Sequence, residues 1–357
     1  MAQDKYRCLI CDAREFLVSA SCWQCATCGR EYRCVSGVPC LYLEERLDRH
    51  DRKVRDRLYD GLLGRRYQKF MPFLQLPVRP DYAPGWAAYG LVCAAFLALL
   101  GQAVHLWPRL AQGIGAQSVL DLVAVLLLAA AGVFLVRHRY FFYLMILAIP
   151  VKLSLRSKQF RPPATFGEIH ARLLAELQQR AGRLQILDVA TGTCNSLYRH
   201  GWMKLDAEYT GLDLSETMLL QGKAFMAAQG IEMDFVLGDA TDLPFQAESF
   251  DVVLNYGALN GCGNAARVLT EMARVARPGG LVLVLDEQLY EAASAVERLY
   301  FRRVLSSHNL YHRWPAELVP PELAQIRAHQ VYPFYYLAAG YKQSAGAGRG
   351  AHGLSAG

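Results

Sequence analysis

The chain has 357 residues, of which 53% are hydrophobic and 20% are charged. This apolar excess excludes a mostly disordered protein, and the length allows two or three domains of ordinary size. The formal net charge is only +6, so the charge balance alone gives no reason to expect a nucleic-acid partner. The first residues, MAQDKYRCLI, contain no apolar signal-peptide core. We therefore expect no secretory leader and a reducing, cytosolic setting for this end of the chain.

Seven of the ten cysteines lie between residues 8 and 40, and four of them form two CxxC pairs separated by 13 residues. Two such turns can present four thiolates in a tetrahedron, which is the arrangement of structural zinc sites. The predicted ligands are Cys8, Cys11, Cys25 and Cys28. Cys22 leaves a competing Cys22-x2-Cys25 pair open. We predict a zinc ribbon over residues 1–42, and we expect a module this small to unfold by itself without its metal, sparing a distant C-terminal domain.

Residues 43–82 are polar and rich in arginine and lysine, with acids interleaved, and predict a basic helical linker. Residues 83–137 are almost wholly apolar and predict a transmembrane hairpin. Its spans would be Trp86–Trp107, which contains no Asp, Glu, Lys or Arg, and Ser118–Val136. About 20 apolar residues cross the hydrocarbon core of a bilayer as a helix. A hairpin buried inside a soluble protein is the alternative.

Basic residues flank the hairpin on both outer sides, whereas the loop between the spans carries one arginine. The positive-inside rule then predicts a two-pass integral membrane protein whose N-terminus and C-terminal domain both face the cytoplasm. The next apolar stretch, Tyr140–Val151, is too short to span, so residues 138–164 are predicted to form an interfacial segment. Residues 344–357 are rich in Gly, Ala and Ser and predict a disordered tail.

Residues 165–343 alternate helical and strand patterns, which predicts an α/β domain with a Rossmann-like sheet. The first strand, Leu184–Val189, runs into a turn that contains Gly192, and the second strand ends at Asp213. A carboxylate at that strand end is placed to accept both hydroxyls of a ribose. The further predicted strands are Ile231–Leu237, Asp251–Tyr256 and Gly280–Asp286.

Five segments in order, DVATGTC, GLDLSETML, GDATDLPF, FDVVLNYGALN and RVARPGGLVLVLDE, resemble the successive motifs of class I S-adenosylmethionine (SAM)-dependent methyltransferases. More narrowly, they resemble the ubiquinone/menaquinone C-methyltransferase family, whose members also tend to end in a GYK like that at residues 340–342. The segment CATCGREYRCVSGVPCLY resembles zinc-ribbon modules found ahead of, or partnered with, certain methyltransferases. The resemblance covers about half the chain and implies SAM as the cofactor.

The resemblance also implies which residues form the cofactor site. They are Asp188, Ala190 and Gly192 at the methionine end, Asp213, Leu214 and Met218 around the ribose and adenosine, Asp239 and Ala240 at the adenine, and Asn255 with Gly257 where methyl donor and acceptor meet. Tyr59 and Asp60 are implied to belong to a lid. Cys194 stands where the family has a third glycine, and a side chain there is expected to narrow the methionine pocket. It is either a packed small residue or a reactive thiol.

Methylation of a quinol carbon also needs a base for the phenolic proton. The candidates are Tyr256, Tyr198, His200, His308 and His312, and the sequence does not choose among them. The leading hypothesis is a membrane-anchored methyltransferase that acts on a prenylated quinone or a lipid, with the bilayer and an apolar substrate as its partners. One alternative is an RNA methyltransferase that reads RNA through the zinc ribbon. Another is a non-catalytic SAM-binding membrane scaffold that uses the ribbon for contact with a protein.

Overall fold

The computed structural model describes residues 3–61, 64–67, 83–111, 123, 126–127, 129–130, 132–133, 139–158 and 160–343. The chain divides into two compact units. The larger unit draws on Met1–Tyr67, Arg161–Tyr290 and His308–Gly357, and the smaller on Gln68–Phe160 and Glu291–Ser307. The predicted tail, residues 344–357, lies outside the described residues.

The larger unit begins with a small antiparallel sheet in the order β1-β2-β3-β4. Its strands are β1 (Phe16–Val18), β2 (Cys22–Cys25), β3 (Glu31–Val35) and β4 (Val38–Pro39). Gly29, directly after the second CxxC pair, has φ of +72°, a left-handed conformation that glycine adopts without steric cost. The chain can therefore turn sharply beside the cysteines and continue into β3.

A seven-stranded sheet in the order β10-β11-β9-β8-β5-β6-β7 forms the centre of the larger unit. The strands are β5 (Leu184–Val189), β6 (Ala207–Asp213), β7 (Asp234–Leu237), β8 (Phe250–Tyr256), β9 (Ala276–Glu287), β10 (Arg327–Tyr332) and β11 (Tyr335–Tyr341). Strands β5 to β9 are parallel, whereas β11 runs antiparallel to β9 and β10 antiparallel to β11. The strand order reverses at β5, so a crevice opens at the carboxyl ends of β5 and β8, where open α/β sheets bind ligands.

The five strands predicted from sequence are all confirmed, with small differences at their ends. Strand β7 starts at Asp234 rather than Ile231. The reason is that Ile231 still belongs to the turn that closes the preceding helix, which ends at Ala228. The N–H of Ile231 donates to the Met226 carbonyl at 3.0 Å, and Gly230 between them has φ of +70°. Strands β10 and β11 were not predicted from the sequence, and the GYK segment lies at the end of β11.

The helices complete the two units. They are α1 (Arg49–Val54), α2 (Ala83–Ala111), α3 (Arg139–Lys158), α4 (Phe166–Gln178), α5 (Asn195–Arg199), α6 (Glu216–Ala228), α7 (Ala265–Val275) and α8 (Ala295–Tyr300). Helices α2, α3 and α8 belong to the smaller unit, and the others to the larger one.

The N-terminal ribbon packs on the β7 edge of the large sheet. The N–H of Leu41 donates to the carbonyl of Leu237 at 2.8 Å, and the N–H of Arg7 donates to that of Pro244 at 3.0 Å. The Lys5 ammonium lies 2.7 Å from the Asp234 carboxylate. Apolar residues of both parts share one continuous buried cluster. Ribbon and sheet therefore form one body rather than two distant ones.

The prediction of a two-pass integral membrane protein is wrong. Within the stretches that the structure describes, no helix combines the length and the apolar character needed to cross a bilayer. The first predicted span falls in α2, and most of the second lies outside the described residues. Trp86 and Tyr89, within the first predicted span, pack edge to face at 5.5 Å, and the Lys152 ammonium of α3 lies 4.2 Å from the Trp86 ring.

The predicted interfacial segment is the helix α3. One face of it, with Leu144, Leu147, Ala148 and Val151, is buried. Ser154 on α3 lies 3.0 Å, oxygen to oxygen, from Ser294 at the start of α8. Spacing of three and four residues places the buried side chains on one helical face, so this face packs inside the smaller unit.

Candidate functional site

The loop after β5 has an unusual backbone. Ala190, Gly192 and Cys194 all have positive φ, between +54° and +59°. This alternation points successive N–H groups in new directions. That of Thr191 donates to the Leu212 carbonyl at 2.9 Å. A Cβ built on Gly192 would lie 3.4 Å from the Met218 methyl group, so glycine keeps the space beside this loop open.

Asp213, the last residue of β6, organises that loop. Its Oδ2 accepts the N–H of Gly192 at 2.7 Å, and its Oδ1 accepts the N–H of Ser215 at 2.8 Å. Burial raises the pKa of Asp213 to about 6 despite these two donors. The Ser215 hydroxyl in turn accepts the N–H of Met218 at 3.1 Å and caps α6. The predicted ribose carboxylate is thus fixed against the glycine turn.

Asp188 lies deeper in the crevice and is only half satisfied. Its Oδ2 accepts the Thr191 hydroxyl at 2.6 Å, whereas its buried Oδ1 has no hydrogen-bond partner among the described residues. Burial raises its pKa to about 7, and the charge of Asp213 adds to this shift. A buried carboxylate oxygen without a donor is costly, so this atom suits a ligand that brings a positive charge or an N–H group.

The structure decides between the two hypotheses for Cys194. The thiol is buried, its sulfur lies 3.4 Å from the Thr191 hydroxyl oxygen, and it faces α6. A Cβ built on Gly222 of α6 would lie 2.9 Å from the Cys194 sulfur. The side chain missing from Gly222 thus leaves room for the thiol, while burial raises the pKa of Cys194 to about 12. Cys194 is a packed residue rather than a reactive thiol.

Asp239 follows β7 and continues the row of carboxylates. Its Oδ1 accepts the N–H of Thr241 and its Oδ2 the hydroxyl of the same residue, both at 2.8 Å. Burial raises its pKa. Ala240 beside it is partly buried against the core. Leu214 after β6 is half-buried. The structure therefore brings Asp188, Asp213 and Asp239 to the carboxyl ends of three adjacent parallel strands.

Asn255 holds the crevice together from the other side. Its amide nitrogen donates to the Val189 carbonyl, and its amide oxygen accepts the N–H of Leu259, both at 3.1 Å. Gly257 turns with φ of +73° and donates its N–H to the Leu285 carbonyl at 2.8 Å. These ties position β8 and its loop between β5 and β9.

A cap segment, defined here as residues 48–61 and 64–67, lies over the same strand ends. Asp60 accepts the Ser215 hydroxyl at 2.5 Å and the Thr217 N–H at 3.1 Å. Asp51 accepts the N–H of Gly263 at 2.8 Å, and burial raises the pKa of Asp51 to about 6. The sequence pattern indicated a basic linker here. Only the Tyr59–Asp60 pair, implied by resemblance, pointed to this location.

The candidate bases differ in their surroundings. The Tyr256 hydroxyl accepts the indole N–H of Trp202 at 2.7 Å, and burial raises its pKa strongly, so it is a poor base at neutral pH. The His200 ring packs 4.6 Å from Phe166 and 5.2 Å from Tyr256. Tyr198 and His312 lie on the surface of the larger unit.

His308 lies next to Asn309, which contacts the end of β9, where sequence reasoning missed two acids. Asp286 and Glu287 end β9, and the Glu287 Oε2 accepts the Asn309 amide at 3.0 Å. Asp286 accepts the N–H of Asn260 at 2.8 Å. The sequence does contain a signal for these acids, because Asp286 and Glu287 stand at the carboxyl end of the fifth strand pattern.

The CxxC cysteines converge as predicted. The four sulfur atoms of Cys8, Cys11, Cys25 and Cys28 all lie within 4.8 Å of one another. The Cys8–Cys28 and Cys11–Cys25 sulfur pairs are both 3.6 Å apart. A zinc tetrahedron with bonds of about 2.3 Å has edges of about 3.8 Å, so the group fits that ion. Cys22 is not part of this group, which favours the first of the two pairings.

The carboxylate row predicts that SAM affinity depends on pH. SAM is a cation at its sulfonium, and protonation of Asp188 or Asp213 removes the opposite charge. Since burial raises their pKa values to about 7 and about 6, affinity should rise as the pH increases from about 5.5 to about 8. Each proton released on binding gives up to about tenfold per pH unit. Calorimetry across this pH range measures the SAM affinity. In Asp188→Asn, the affinity should change less with pH at the upper end of the range. An affinity that stays constant would contradict the prediction.

Comparison with known proteins agrees with this geometry. A family model described as "Methyltransferase domain" matches residues 187–284. The phthiotriol/phenolphthiotriol dimycocerosates methyltransferase of Mycobacterium tuberculosis is 33% identical over 150 residues, 42% of this chain and 48% of the relative. The ubiquinone/menaquinone biosynthesis C-methyltransferase UbiE of Roseobacter denitrificans is 38% identical over 112 residues, 31% of this chain and 44% of the relative. The chain spans about half the length of the curated relatives it matches.

Among solved structures, phosphoethanolamine N-methyltransferase 2 of Haemonchus contortus aligns with a TM-score of 0.42 and 14% identity over 49% of this chain and 52% of that one. The family model and the relatives confirm the resemblance seen in the sequence. The chain carries a class I SAM-dependent methyltransferase domain that resembles the UbiE C-methyltransferases.

Proposed function

We propose, from the methyltransferase domain that the chain carries, that the protein transfers the methyl group of SAM to an apolar or amphipathic acceptor of the quinol or lipid class. The observation that carries the proposal is the row of Asp188, Asp213 and Asp239 at adjacent strand ends, beside the open turn at Gly192. SAM, when bound, supplies an already activated methyl group. The residues therefore bind, orient and exclude water rather than activate the donor.

Each residue has a distinct task in this proposal. Asp213 would accept the ribose hydroxyls while it holds the loop through the N–H of Gly192. The unpaired Oδ1 of Asp188 would accept an N–H of the methionine end. The sulfonium of SAM is positive, whereas the thioether of the product S-adenosylhomocysteine is neutral. Nearby carboxylates therefore bind SAM more tightly than the product, which assists release of the product.

The acceptor class rests on the relatives and on the charges of the cap segment. One relative is named for phthiotriol lipids and the other for ubiquinone and menaquinone biosynthesis. The RNA alternative would need free cations. However, Arg52 and Arg55 of the cap segment lie 3.2 Å and 2.9 Å from Glu44. This carboxylate offsets part of the positive charge that would attract RNA phosphates.

We also infer that one structural zinc ion is held by Cys8, Cys11, Cys25 and Cys28. Four thiolates would complete its coordination and leave no open position for chemistry.

A transfer assay tests the proposal. The purified protein is incubated with methyl-labelled SAM and separate lipid, quinol and RNA fractions, and label is counted in each fraction. We expect label in the lipid or quinol fraction and its loss with Asp213→Ala, whereas Asp206→Ala, at an exposed acid, should behave as wild type. Label in RNA would support the RNA alternative. SAM binding without label in any fraction would support the scaffold alternative.

A further inference from the structure

A histidine ring nitrogen without a hydrogen-bond partner among the described residues lies beside the loop that follows β8. The Nδ1 atom of His308 is buried and has no partner among the described residues. Its ring lies against the loop that follows β8, since a Cβ built on Gly261 would be 3.8 Å from the His308 Cδ2 and 3.6 Å from the Asn309 Oδ1. A buried ring nitrogen left without a partner is costly in a native structure, and it is a reason to look for a ligand or a chemical role.

Residues near His308 hold the acid Glu287 in place through hydrogen bonds. Asn309 donates its amide to the Glu287 carboxylate at 3.0 Å, and Asn260 donates its amide to the Glu287 carbonyl at 2.6 Å. The Tyr336 hydroxyl donates to the Asn260 Oδ1 at 3.2 Å. Glu287 is thereby held at the end of β9, where its carboxylate also shares a side-chain hydrogen bond with the Asp286 carboxyl group.

Two tyrosines of the cap segment lie near both Glu287 and Asp213, the predicted ribose carboxylate. The rings of Tyr59 and Tyr67 meet edge to face at 6.3 Å. The charges of Glu287 and Asp213 both raise the pKa of each tyrosine, which places the tyrosine pair within electrostatic reach of both acids. Aromatic rings near both acids suit a flat apolar acceptor with one polar group.

We propose that His308 is the general base of the transfer, that Glu287 stabilises its protonated form, and that the acceptor presents an acidic hydroxyl, as a phenol or an enol does. This inference rests on the proposed function and deepens it. The proton passes from the acceptor hydroxyl to a ring nitrogen of His308, and the electron pair of the broken O–H bond stays on the acceptor. The acceptor then forms a bond to the methyl carbon while the carbon–sulfur bond breaks with its pair on sulfur. One positive charge moves from the sulfonium to the imidazolium.

The electrostatics around His308 agree with this role. Burial lowers the pKa of His308 below its ordinary value, Glu287 opposes that shift, and His50 of α1 adds to it. His50 is itself tied to the loop, with its Nε2 3.1 Å from the Gly261 carbonyl. His308 is therefore neutral at pH 7 and able to accept a proton, and the negative charge of Glu287 favours the product of that step.

The first test compares turnover of wild type, His308→Gln and His329→Gln, the last at an exposed position on β10. We expect His308→Gln to lower kcat by about 10²- to 10⁴-fold while leaving SAM affinity by calorimetry unchanged. The rising limb of the pH–rate profile should disappear, and added imidazole should restore part of the rate in His308→Gly. His329→Gln should match wild type. If His308→Gln stays within about threefold of wild type, the inference is overturned.

A second test needs no turnover and so separates this inference from the proposed function. 4-Nitrophenol is titrated into the protein saturated with S-adenosylhomocysteine, below the pH at which the free phenol ionises. We expect the phenolate absorption band with wild type and its loss with His308→Gln. Equal spectra, or no phenolate band with wild type, overturn the role of His308. If the phenolate band is present with wild type and absent with His308→Gln while no acceptor fraction is methylated, the proposed function is wrong and the role of His308 as a base is retained.

Discussion

Alanine in place of Asp213 is expected to weaken SAM binding by about 100-fold or more. Two charge-assisted hydrogen bonds to the ribose hydroxyls are each worth about 1.5–3 kcal/mol, and both would be lost. The same carboxylate accepts the N–H groups of Gly192 and Ser215 at 2.7 Å and 2.8 Å, so its removal also loosens the turn that shapes the site. Isothermal calorimetry with SAM measures the change.

Two further variants separate binding from folding. Asp213→Asn keeps one acceptor oxygen for the loop and should lose less affinity than alanine does. Asp206→Ala changes an acid whose side chain is 85% exposed and should bind SAM as wild type does. The circular dichroism spectrum shows whether Asp213→Ala is folded. A folded Asp213→Ala with wild-type SAM affinity would refute the assignment of this residue to the ribose.

The parallel sheet and the carboxylate row could be predicted because their signals are local. Strand β5 consists mostly of apolar residues, is largely buried on both faces, and leads directly into the turn at Gly192. Parallel strands bring their carboxyl ends to one edge, so residues that end successive strand patterns, such as Asp213 and Asp239, were expected to meet there.

The cap segment could not be predicted from its own sequence. Its acids and arginines look like a solvated linker, and their partners lie far along the chain. Asp60 contacts Ser215, and Asp51 contacts the N–H of Gly263. The pairing of His308 with Glu287 could not be predicted for the same reason, because a strand end and a distant loop meet only in the folded chain. Composition alone cannot show such contacts.

The membrane prediction failed for a related reason. The composition of an apolar run does not by itself show whether a helix crosses a bilayer. Trp86 and Tyr89 matched the aromatic pattern of a bilayer boundary. In the structure, Tyr89 is buried and the Lys152 ammonium lies over the Trp86 ring, which are contacts between helices of one unit.

Loss of one zinc ligand is expected to destabilise the whole larger unit, not the first 42 residues alone. The ribbon shares a buried core with the large sheet, where Tyr6 packs 5.1 Å from Trp23 and 5.4 Å from Phe245. Zinc binding to small modules is worth about 10–16 kcal/mol and is coupled to their folding. That is comparable to the entire stability of a typical domain, about 5–15 kcal/mol. Without the metal, β7 would lose the chain that covers its edge.

Cys28→Ser tests this expectation with little other disturbance, because Cys28 is exposed and its thiol contributes little packing. Metal analysis should find less than one zinc per chain, and calorimetry should show a lower Tm for the methyltransferase domain. Hydrogen exchange should quicken at β7 as well as in the ribbon. Cys22→Ser, outside the four-sulfur group, should keep its zinc and its Tm. If exchange quickens only in residues 1–42, or if zinc-free protein keeps its Tm, the ribbon is an independent module, and the contacts of Leu41 and Lys5 with the sheet do not couple the two.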